Sequence, residues 1–494
     1  MSDSPVTTNE VSRPEPRAPQ ASPGWLDQRT GWKAMMHEFL DERVPGGARW
    51  AYVFGSGLLF IFLSQIVTGT FLALYYVPSA DHAHTTVGYI IKVVWSGAFL
   101  RGVHSYGASI MIVLLVVHIT QTFMFGSYKG RRELLWVSGC ILFALVLGMA
   151  FTGYLLPWDE RSYFATAVGT NIMSEVPWIG EWLKLVTRGG PGMGTLTISR
   201  FFVAHVFILP AGIIAFIGLH LLLFRKAGPA GPPSVDPVTP KGRYEKFYPK
   251  QVVLDAAFAF ILIIILAVLA YFVPKALGPA ANPADTAFIP RPEWYYRPIF
   301  QFLKYWEGPL AVIGILVVPG IIALLMLALP FYDRRLERRP WKRPVAAGIF
   351  SLVLLALIVL GIISYHVDSS NPGVAAQLAQ QDKAEAQFMK QPFQPEMAAG
   401  SAAAAAAVSS GPGNPLIAKG KQLYASNGCI ACHGADGAGA MAVKLIGVTQ
   451  TLGKDKVAEL IRHPNAKMKA GGMPAFPLSD DDMKALIAYL SSLK

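Results

Sequence analysis

The apolar positions of this chain fall into seven long runs, which polar or basic loops separate. Each run holds about 20 or more predominantly apolar residues, the length that an α-helix needs to cross the hydrocarbon core of a bilayer. The runs lie at residues 51–77, 102–126, 134–156, 199–224, 251–273, 308–331 and 344–366. The pattern predicts an all-α fold built around a seven-span transmembrane helical bundle.

Composition and loop charge favour a polytopic membrane protein and indicate its orientation. The chain has 494 residues, of which 53% are hydrophobic and 15% are charged, so we exclude a soluble globular class. Its net charge of +12 does not indicate nucleic-acid binding, because lysines and arginines cluster in the loops between alternate spans. Such loops are expected in the cytoplasm. The amino terminus is then cytoplasmic, and the chain after Tyr365 emerges on the opposite side.

Two of the predicted spans carry paired histidines. His104 and His118 lie fourteen residues apart, and His205 and His220 lie fifteen apart. At about 100° and 1.5 Å per residue, each pair shares one helix face and is separated by roughly 21 Å along the axis. A single intramembrane histidine is often only a hydrogen bonder between helices. Four ionisable side chains at matching offsets are costly in lipid, so we predict two bis-histidine haem sites at two depths.

Paired glycines and one arginine support this interpretation. Gly55 and Gly69 in the first span have the fourteen-residue spacing of the first histidine pair, and so do Gly139 and Gly153 in the third span. The missing side chains at these two depths would let flat macrocycles approach the flanking helices. Arg101, near the start of the second span, is a candidate partner for a haem propionate. Anchoring at the membrane surface is the competing explanation for this arginine.

A different motif, CIACH, lies near the carboxyl terminus. In C-x-x-C-H, the thiols of Cys429 and Cys432 form thioethers with haem vinyl groups, and His433 becomes an axial ligand of the iron. A zinc or redox C-x-x-C is the alternative. The chain has no second cysteine pair for zinc, because its remaining cysteine, Cys140, lies inside an apolar span. We therefore predict one covalently bound haem c.

The sixth ligand of this haem is expected to be a methionine. The candidates are Met441, Met468 and Met473. We predict Met473, because GGMPAFP places its thioether on a loop constrained by glycine and proline, ahead of a terminal helix. Bacteria attach haem c outside the cytoplasm, which agrees with the side that loop charge predicts for this domain. We expect a small α-helical, class I-like cytochrome c domain on the extracytoplasmic side of a bacterial inner membrane.

The chain is predicted to divide into five parts. They are a cytoplasmic tail with an amphipathic surface helix (1–50), a four-helix di-haem domain (51–230), a three-helix domain (231–366), a linker (367–413) and the cytochrome c domain (414–494). The linker is dominated by Ala, Gln, Gly, Ser and Pro. This composition is typical of a tether, partly helical and otherwise flexible.

The loop between the fifth and sixth predicted spans carries a candidate catalytic motif, RPEWYYRP. Glu293 is a carboxylate next to a span, where it could accept a proton from a bound hydroxyl. Pro292 limits the local backbone, and Trp294 and Tyr295 could separate a pocket from lipid. The alternative is that the Trp–Tyr pair only anchors the loop at the membrane interface.

Several of these features together resemble cytochrome b of the cytochrome bc and bf complexes. They are the four histidines, the two glycine pairs, GYLLPWDE at residues 153–160 and PEWY at residues 292–295. The resemblance covers residues of about 35–366. The fifteen-residue histidine spacing, RRELLWVSG at residues 131–139 and the seven spans are more similar to the bf branch, in which the first four and last three spans are separate chains. Here the two parts look fused, with a mono-haem cytochrome c appended.

The resemblance implies a mechanism and a set of cofactors. Quinol would be oxidised on the positive side of the membrane. One electron would pass to a Rieske iron–sulfur protein, and the other would cross through two haems b to a quinone on the negative side. His104 and His205 would bind the positive-side haem, and His118 and His220 would bind the negative-side haem.

The resemblance also assigns the quinone sites and shows two departures. Glu293 and Tyr295 would belong to the quinol-oxidising site, and Asp255 loosely resembles a carboxylate near the quinone-reducing site. Gln121 replaces an arginine that the family usually has three residues after the second histidine of that span. Val53 stands where the bf branch has a cysteine that holds an extra haem.

Partners follow from the same reasoning. A Rieske cluster needs two cysteines and two histidines, and Cys140 is the one cysteine outside CIACH, so the Rieske protein must be another chain. A further cytochrome c or another carrier would accept the electrons, and the family implies a homodimer. The alternative function is a haem-bearing membrane anchor that relays electrons for a separate dehydrogenase. PEWY and the paired glycines speak against it, because a pure relay needs neither.

Overall fold

The computed structural model describes most of the chain. The described residues are 24–233, 244–283, 285, 287–306, 308–394, 415–427, 429, 433, 437, 444–465, 468, 473, 475–476 and 478–493. They belong to two compact units, Met1–Phe393 and Gln394–Lys494. Strands within the described residues are limited to one antiparallel pair, β1 (Arg43–Pro45) and β2 (Tyr244–Lys246). The all-α prediction is confirmed.

Seven helices of the described part are long and apolar enough to cross a membrane, which confirms the predicted number of spans. They are Trp50–Ala73, Gly97–Met124, Glu133–Leu155, Thr195–Ala227, Lys250–Phe272, Ile313–Tyr332 and Pro344–Ser370. Large apolar side chains such as Leu352, Leu355 and Ile358 remain exposed on their outer faces. Such a surface suits lipid tails, which are as apolar as leucine.

The described α-helices of the first unit follow one another in chain order. They are α1 (Trp25–Thr30), α2 (Trp32–Leu40), α3 (Val53–Ala73), α4 (Ala83–Lys92), α5 (Gly97–Met124), α6 (Glu133–Leu155), α7 (Glu160–Ser174), α8 (Gly180–Arg188), α9 (Thr195–Val203), α10 (Leu209–Ala227), α11 (Lys250–Phe272), α12 (Arg297–Leu303), α13 (Val318–Tyr332), α14 (Pro344–Ser370) and α15 (Pro372–Lys390). A π-helical turn at Ala204–Ile208 joins α9 and α10 into one span. Near the amino terminus, α2 leaves Met35 and Phe39 exposed, as a helix lying on a membrane surface would.

A central apolar layer holds α3, α5, α6 and α10 together. Phe62, Met111, Val146 and Ile213, one from each helix, are buried in one cluster. Each of them stands about midway between the two glycines or the two histidines of its own span. The layer therefore fills the centre of the bundle and keeps the two histidine levels apart.

The predicted linker at residues 367–413 is in part a regular helix. α14 continues to Ser370, and α15 follows after one residue, Asn371. The Asn371 side chain accepts hydrogen bonds from the backbone N–H groups of Gly373 and Val374, which caps the new helix. The low-complexity composition suggested flexibility, but alanine, glutamine and lysine are also strong helix formers. The part of the linker at residues 395–413 lies outside the described residues.

α15 also packs against the rest of the first unit. Arg161 binds Asp382 at 3.0 Å and Glu385 at 2.8 Å. At the other end of the helix, Lys92 donates to the carbonyl oxygens of Phe388 and Gln391, each at 2.8 Å. Residues 372–390 are therefore part of the folded membrane unit, a difference from the tether that composition predicts.

The second unit is a small helical domain. Its main described helices are α16 (Pro415–Ser426), α17 (Val448–Leu452), α18 (Lys454–Arg462) and α19 (Asp480–Ser492). α16 and α19 cross so closely at Gly420 that a methyl group there would overlap the carbonyl oxygen of Ala485. Tyr424, Leu486 and Leu490 fill the core between the helices. The terminal helix thus packs on the first helix of the domain.

Candidate functional site

The histidines of the second and fourth spans meet inside the four-helix core. The rings of His104 and His205 face each other with their centroids 6.2 Å apart and their planes at 77°. A metal–imidazole bond is roughly 2 Å long, so this separation accommodates one metal ion between two ring nitrogens. His118 and His220 lie at a second level of the same two spans. The structure thus brings the four predicted histidines together in the two predicted pairs.

The glycines of the flanking helices lie directly against the histidine rings of the first level. A methyl carbon at Gly69 would stand 3.0 Å from Cε1 of His104, and one at Gly153 would stand 2.5 Å from Cε1 of His205. The contact at Gly153 is too short for a real side chain, and that at Gly69 is tighter than most such contacts. The missing side chains, which the sequence predicts to leave room for a macrocycle, also leave room for the histidine rings.

The second level repeats this contact with slightly more room. A methyl carbon at Gly139 would lie 3.3 Å from Cε1 of His220, and one at Gly55 would lie 3.5 Å from Cε1 of His118. Each of the four predicted glycines therefore faces one of the four histidines. The shared fourteen-residue spacing thus places one glycine beside each ring.

Hydroxyl groups beside the glycines orient the rings. Thr68 Oγ1 donates to the carbonyl oxygen of Ser64 at 2.7 Å, so it accepts from Nδ1 of His104, which lies 3.0 Å away. With the hydrogen of this imidazole on Nδ1, the lone pair of Nε2 remains for a metal. A hydrogen bond of this type fixes the tautomer and raises the basicity of a metal-ligating histidine.

Two more histidines are held in the same way. Ser138 Oγ donates to a backbone carbonyl at 2.8 Å and lies 2.9 Å from Nδ1 of His220. His205 Nδ1 lies 3.0 Å from the carbonyl oxygen of Met149 and 3.3 Å from Oγ1 of Thr152. Sequence reasoning missed these hydroxyl groups. The signal was present, since a threonine or serine immediately precedes three of the four glycines.

Arg101 contacts backbone near the end of the fifth span. Its guanidinium donates to the carbonyl oxygens of Lys275 at 2.6 Å and Ala276 at 3.1 Å. These bonds tie the start of α5 to the chain that follows α11. The predicted role of Arg101 as a propionate partner stays a prediction.

A cavity of about 150 Å³ lies beside the PEWY loop. Its walls are aromatic, aliphatic and glycine residues: Phe151, Tyr154, Ala165, Val168, Gly169, Ile172, Pro290, Pro292, Tyr296, Ile299, Phe300 and Leu303. The Tyr154 hydroxyl is buried and has no hydrogen-bond partner among the described residues. We call this part of the molecule the PEWY end of the bundle. Sequence reasoning missed Tyr154, although it directly follows Gly153 in GYLLPWDE.

The four predicted PEWY residues take different positions. Pro292 lines the cavity, whereas Trp294 is 44% exposed on the outer surface. Tyr295 packs against the central apolar cluster. Its burial, and secondarily the Glu293 carboxylate, raise the pKa of the Tyr295 hydroxyl. Glu293 itself is paired with Lys275, whose Nζ lies 3.3 Å from Oε1.

Two arginines that bracket the motif fix this loop to the last span. Arg291 binds both carboxylate oxygens of Asp368, with contacts of 2.7 to 3.0 Å, and Arg297 binds the same carboxylate at 2.8 Å. The Asp368 side chain is only 6% exposed. Because bidentate arginine–carboxylate pairs have a defined geometry, this cluster sets the position of the loop. Sequence reasoning missed Asp368, since it lies about seventy residues from the arginines.

A larger cavity of about 640 Å³ lies at the opposite end, near the β1–β2 sheet, which we call the sheet end. Its walls include Arg49, Glu245 and Lys250. Asp255 lies just beyond this wall on α11, where its Oδ1 accepts from Nε2 of Gln251 at 3.0 Å. The Gln251 Oε1 in turn accepts from the backbone N–H of Arg49 at 2.9 Å. Asp255 is therefore linked through Gln251 to Arg49 of the cavity wall, and it does not itself line the cavity.

The predicted haem c residues are described only in part. Cys429 and Met473 both pack against the core of the second unit, and His433 is described as well. Cys432 and Met441 lie outside the described residues. Met468 is not among the side chains of that core cluster, and its carbonyl oxygen accepts from the backbone N–H of Met473 at 3.0 Å. The choice of Met473 as the sixth ligand stays a prediction.

Comparison with protein families accounts for most of the chain. The family described as Cytochrome b/b6/petB matches residues 39–228, and Cytochrome b(C-terminal)/b6/petD matches residues 280–380. The family Cytochrome c matches residues 417–494. These memberships imply haem b in the first unit and haem c in the second. The histidine pairs, with Nδ1 bonded in three of the four rings and glycine beside each ring, fit axial ligation of haem.

Individual relatives agree with this division. The "Cytochrome bc complex cytochrome b subunit" of Chlorobaculum thiosulfatiphilum is 35% identical over 372 residues, covering 73% of this chain and 85% of that protein. The "Cytochrome b/c1" of Bradyrhizobium diazoefficiens is 33% identical over 69% of this chain and 50% of its own length. A solved structure titled "Hyperthermophilic respiratory Complex III" matches with a TM-score of 0.62 and 25% identity, covering 75% of this chain and 97% of that one. The chain therefore belongs to the cytochrome b family of bc-type complexes and is a cytochrome b fused to a carboxyl-terminal cytochrome c domain.

Proposed function

We propose that this chain is the quinol-oxidising subunit of a quinol:cytochrome c oxidoreductase. The observation that carries the proposal is the pair His104 and His205, whose rings face each other at 6.2 Å while both Nδ1 atoms bond to flanking helices. Both Nε2 atoms are then available to one haem iron. His118 and His220 repeat the arrangement at the second level. A haem b held at each level would supply one-electron transfer.

The apolar cavity at the PEWY end is the proposed site of quinol oxidation. Its aromatic and aliphatic walls suit a quinol ring and exclude water. The buried Tyr154 hydroxyl supplies a polar group for a head-group oxygen of the quinol, because no described residue bonds it. The Asp368 cluster holds the loop that carries Pro292, and it thereby fixes the width of the cavity.

Glu293 is the proposed proton acceptor of this site. A quinol loses a hydroxyl proton as it loses an electron, and a carboxylate within hydrogen-bond reach takes that proton. Glu293 does not line the cavity, and it is held by Lys275 at 3.3 Å. The carboxylate must therefore turn from Lys275 towards the cavity to accept the proton. The return to the Lys275 ammonium group favours release of the proton to water, since the pair is stable only when the carboxylate is charged.

The polar cavity at the sheet end is the proposed site of quinone reduction. Asp255, through its bond with Gln251, is placed to supply a proton next to this cavity. Electrons reach it from the level of His118 and His220. The PEWY end then lies on the positive side of a bacterial inner membrane, and the sheet end lies on the negative, cytoplasmic side.

The second unit is the proposed exit for the other electron. Cys429 and Cys432 would attach haem c, with His433 and Met473 as axial ligands. A Rieske protein on a separate chain would deliver the electron, because Cys140 is the one cysteine outside CIACH and is buried in α6. A soluble or membrane-bound carrier would accept the electron, and the complex would be a homodimer coupled to proton translocation.

The purified complex tests this function directly. Pyridine haemochrome spectra should give two haems b for each haem c, and quinol should reduce both kinds of haem. Replacing His205 with alanine should remove one haem b and abolish electron transfer to a c-type cytochrome. A ratio of one haem b to one haem c, or haems b that quinol does not reduce, would overturn the proposal.

A further inference from the structure

The four histidine sites follow one local rule with a single exception. At three sites a hydroxyl residue directly precedes the glycine that faces the ring: Thr68–Gly69, Ser138–Gly139 and Thr152–Gly153. At the fourth site the residue before Gly55 is Phe54. The exception lies beside His118, on the level that we place near the negative side.

The structure shows what this exception does to the ring. Nδ1 of His118 is buried and has no hydrogen-bond partner among the described residues. Nδ1 of His104, His205 and His220 each lies within 3.3 Å of a hydroxyl oxygen. Phe54 instead contributes an aromatic ring, which packs edge-on against Phe258 with centroids 5.9 Å apart. Phe54 therefore offers this nitrogen no hydrogen-bonding group.

The backbone also differs at the fourth site. The other three histidines can use the carbonyl four residues before their glycine, as His205 does with Met149 at 3.0 Å. The corresponding residue before Gly55 is Ala51, which lies in the 3₁₀ turn Trp50–Tyr52, ahead of the regular start of α3 at Val53. Neither a hydroxyl nor a regular helical carbonyl serves Nδ1 of His118.

We propose that Phe54 is a positioning residue that raises the reduction potential of the haem held by His118 and His220. A hydrogen bond accepted from Nδ1–H makes an imidazole more basic, and a more basic axial ligand stabilises ferric iron more than ferrous iron. His118 lacks this bond, so its haem is easier to reduce. Both ligands of the other haem have the bond, so that haem is harder to reduce. The inference rests on the proposed bis-histidine ligation.

The consequence is a direction for electron transfer across the membrane. An electron that enters at the level of His104 and His205 moves towards the level with the weaker donor. The difference in reduction potential between the two haems then depends on the residue before each of the four glycines and not on an exposed charge. It should therefore depend little on ionic strength, since buried groups are screened much less than surface charges.

The variant Phe54→Ser tests the inference in the whole complex. Serine places a hydroxyl where the other three sites have one. Optical redox titration of the two haems b should show a lower reduction potential for the His118–His220 haem. At a fixed ambient potential its oxidised-to-reduced ratio should rise about tenfold, which corresponds to a shift of about 59 mV for one electron. The potential of the other haem should not change. Phe54→Leu is the matched control, because it keeps an apolar side chain and should leave both potentials unchanged.

Two further variants keep the inference testable if Phe54→Ser does not assemble. Thr68→Val removes the hydroxyl beside His104 at nearly constant shape and should raise the potential of the His104–His205 haem. Ser138→Ala should raise the potential of the His118–His220 haem. Unchanged potentials in Phe54→Ser with full haem content, or in both of the other variants, would overturn the inference.

Haem content separates this inference from the ligand assignment on which it rests. His118→Ala should lose one haem b for each haem c. If that variant keeps both haems b, the proposed ligation fails. If it loses one but Phe54→Ser shifts no potential, the ligation stands and only the role of Phe54 is overturned.

Discussion

The two ends of the membrane unit have equivalent histidine pairs but very different cavities. At the PEWY end the cavity holds about 150 Å³, and the polar side-chain groups of its lining are two tyrosine hydroxyls. The Tyr296 hydroxyl donates to a backbone carbonyl, whereas no described residue bonds that of Tyr154. At the sheet end the cavity holds about 640 Å³, and Arg49, Glu245 and Lys250 bring charge to its wall. The two histidine levels are therefore nearly symmetric, and the two cavities are not.

The difference indicates how each end can handle protons. A small apolar cavity admits little water, so fixed side chains must supply the proton acceptor and hold the geometry. A large polar cavity has room for water molecules with polar partners, which can exchange protons without one dedicated residue. We therefore expect large effects from substitutions at the PEWY end and small effects at the sheet end.

The largest effect is expected from Asp368→Asn. This change leaves Arg291 and Arg297 without a charged partner in a site where the aspartate side chain is 6% exposed. Breaking a buried ion pair from one side costs about 3–5 kcal/mol, so the purified complex should unfold at a clearly lower temperature and lose quinol oxidation.

Asp382→Asn is the control for that variant. Asp382 also pairs with an arginine, Arg161, at 3.0 Å, but its side chain is 71% exposed. Exposed pairs contribute about 0–1 kcal/mol, so the unfolding temperature should hardly change. Equal effects of the two variants would show that the Asp368 cluster does not hold the loop.

The second effect concerns Glu293→Gln, which keeps the shape of the side chain and removes its basicity. Haem content should be normal, and reduction of the haems b by quinol should slow by on the order of tenfold or more. Reduction of the His118–His220 haem by reverse electron transfer from quinol at the sheet end should be unchanged. Glu160→Gln is the control, since Glu160 is a carboxylate of the same unit that lies outside the PEWY motif. If quinol reduced the haems b of Glu293→Gln at the wild-type rate, Glu293 would be only a charge at the membrane interface and not the proton acceptor.

Much of the haem site was predictable because it repeats. The fourteen-residue and fifteen-residue spacings of histidines and glycines follow from helix geometry, and the structure pairs the histidines as predicted. The hydroxyl partners were missed for a physical reason. Thr68 and Ser138 look like ordinary small residues of a membrane helix until the neighbouring helix shows which nitrogen they meet.

The loop and linker were harder to predict because their structure depends on distant residues. Nothing near RPEWYYRP indicates that both arginines share Asp368. Likewise, Ala-rich and Gln-rich composition is compatible with a tether and with a helix. Contacts with Arg161 and Lys92 accompany the helical state of residues 372–390. Such pairs cannot be predicted from the local sequence, because their partners lie far apart along the chain.

A third, smaller effect is expected from Tyr154→Phe. The change removes one hydroxyl from the cavity and keeps the ring. A neutral hydrogen bond contributes about 0.5–1.5 kcal/mol, so KM for quinol should rise by roughly twofold to tenfold while kcat changes less. Tyr296→Phe is the control, because Tyr296 lines the same cavity but its hydroxyl already donates to the carbonyl oxygen of Leu147 at 2.7 Å. A KM increase in Tyr296→Phe alone would show that Tyr154 does not bind quinol.

The smallest effect should come from Asp255→Asn at the sheet end. Asparagine keeps an oxygen that can accept from Gln251, which stands 3.0 Å from the aspartate in the native chain, so the local structure should be preserved. The cavity beside it is large and carries other ionisable groups, Glu245 and Lys250, and water can replace the lost proton donor. Reoxidation of the haems b by quinone should therefore slow by about threefold or less, well below the general-base contribution expected of Glu293. Flash-induced or stopped-flow kinetics of haem b reoxidation would measure it, with the Glu293→Gln complex beside it. If Asp255→Asn slowed reoxidation as strongly as Glu293→Gln slows reduction, proton transfer at the sheet end would depend on a single fixed group, and the contrast between the two ends would be wrong.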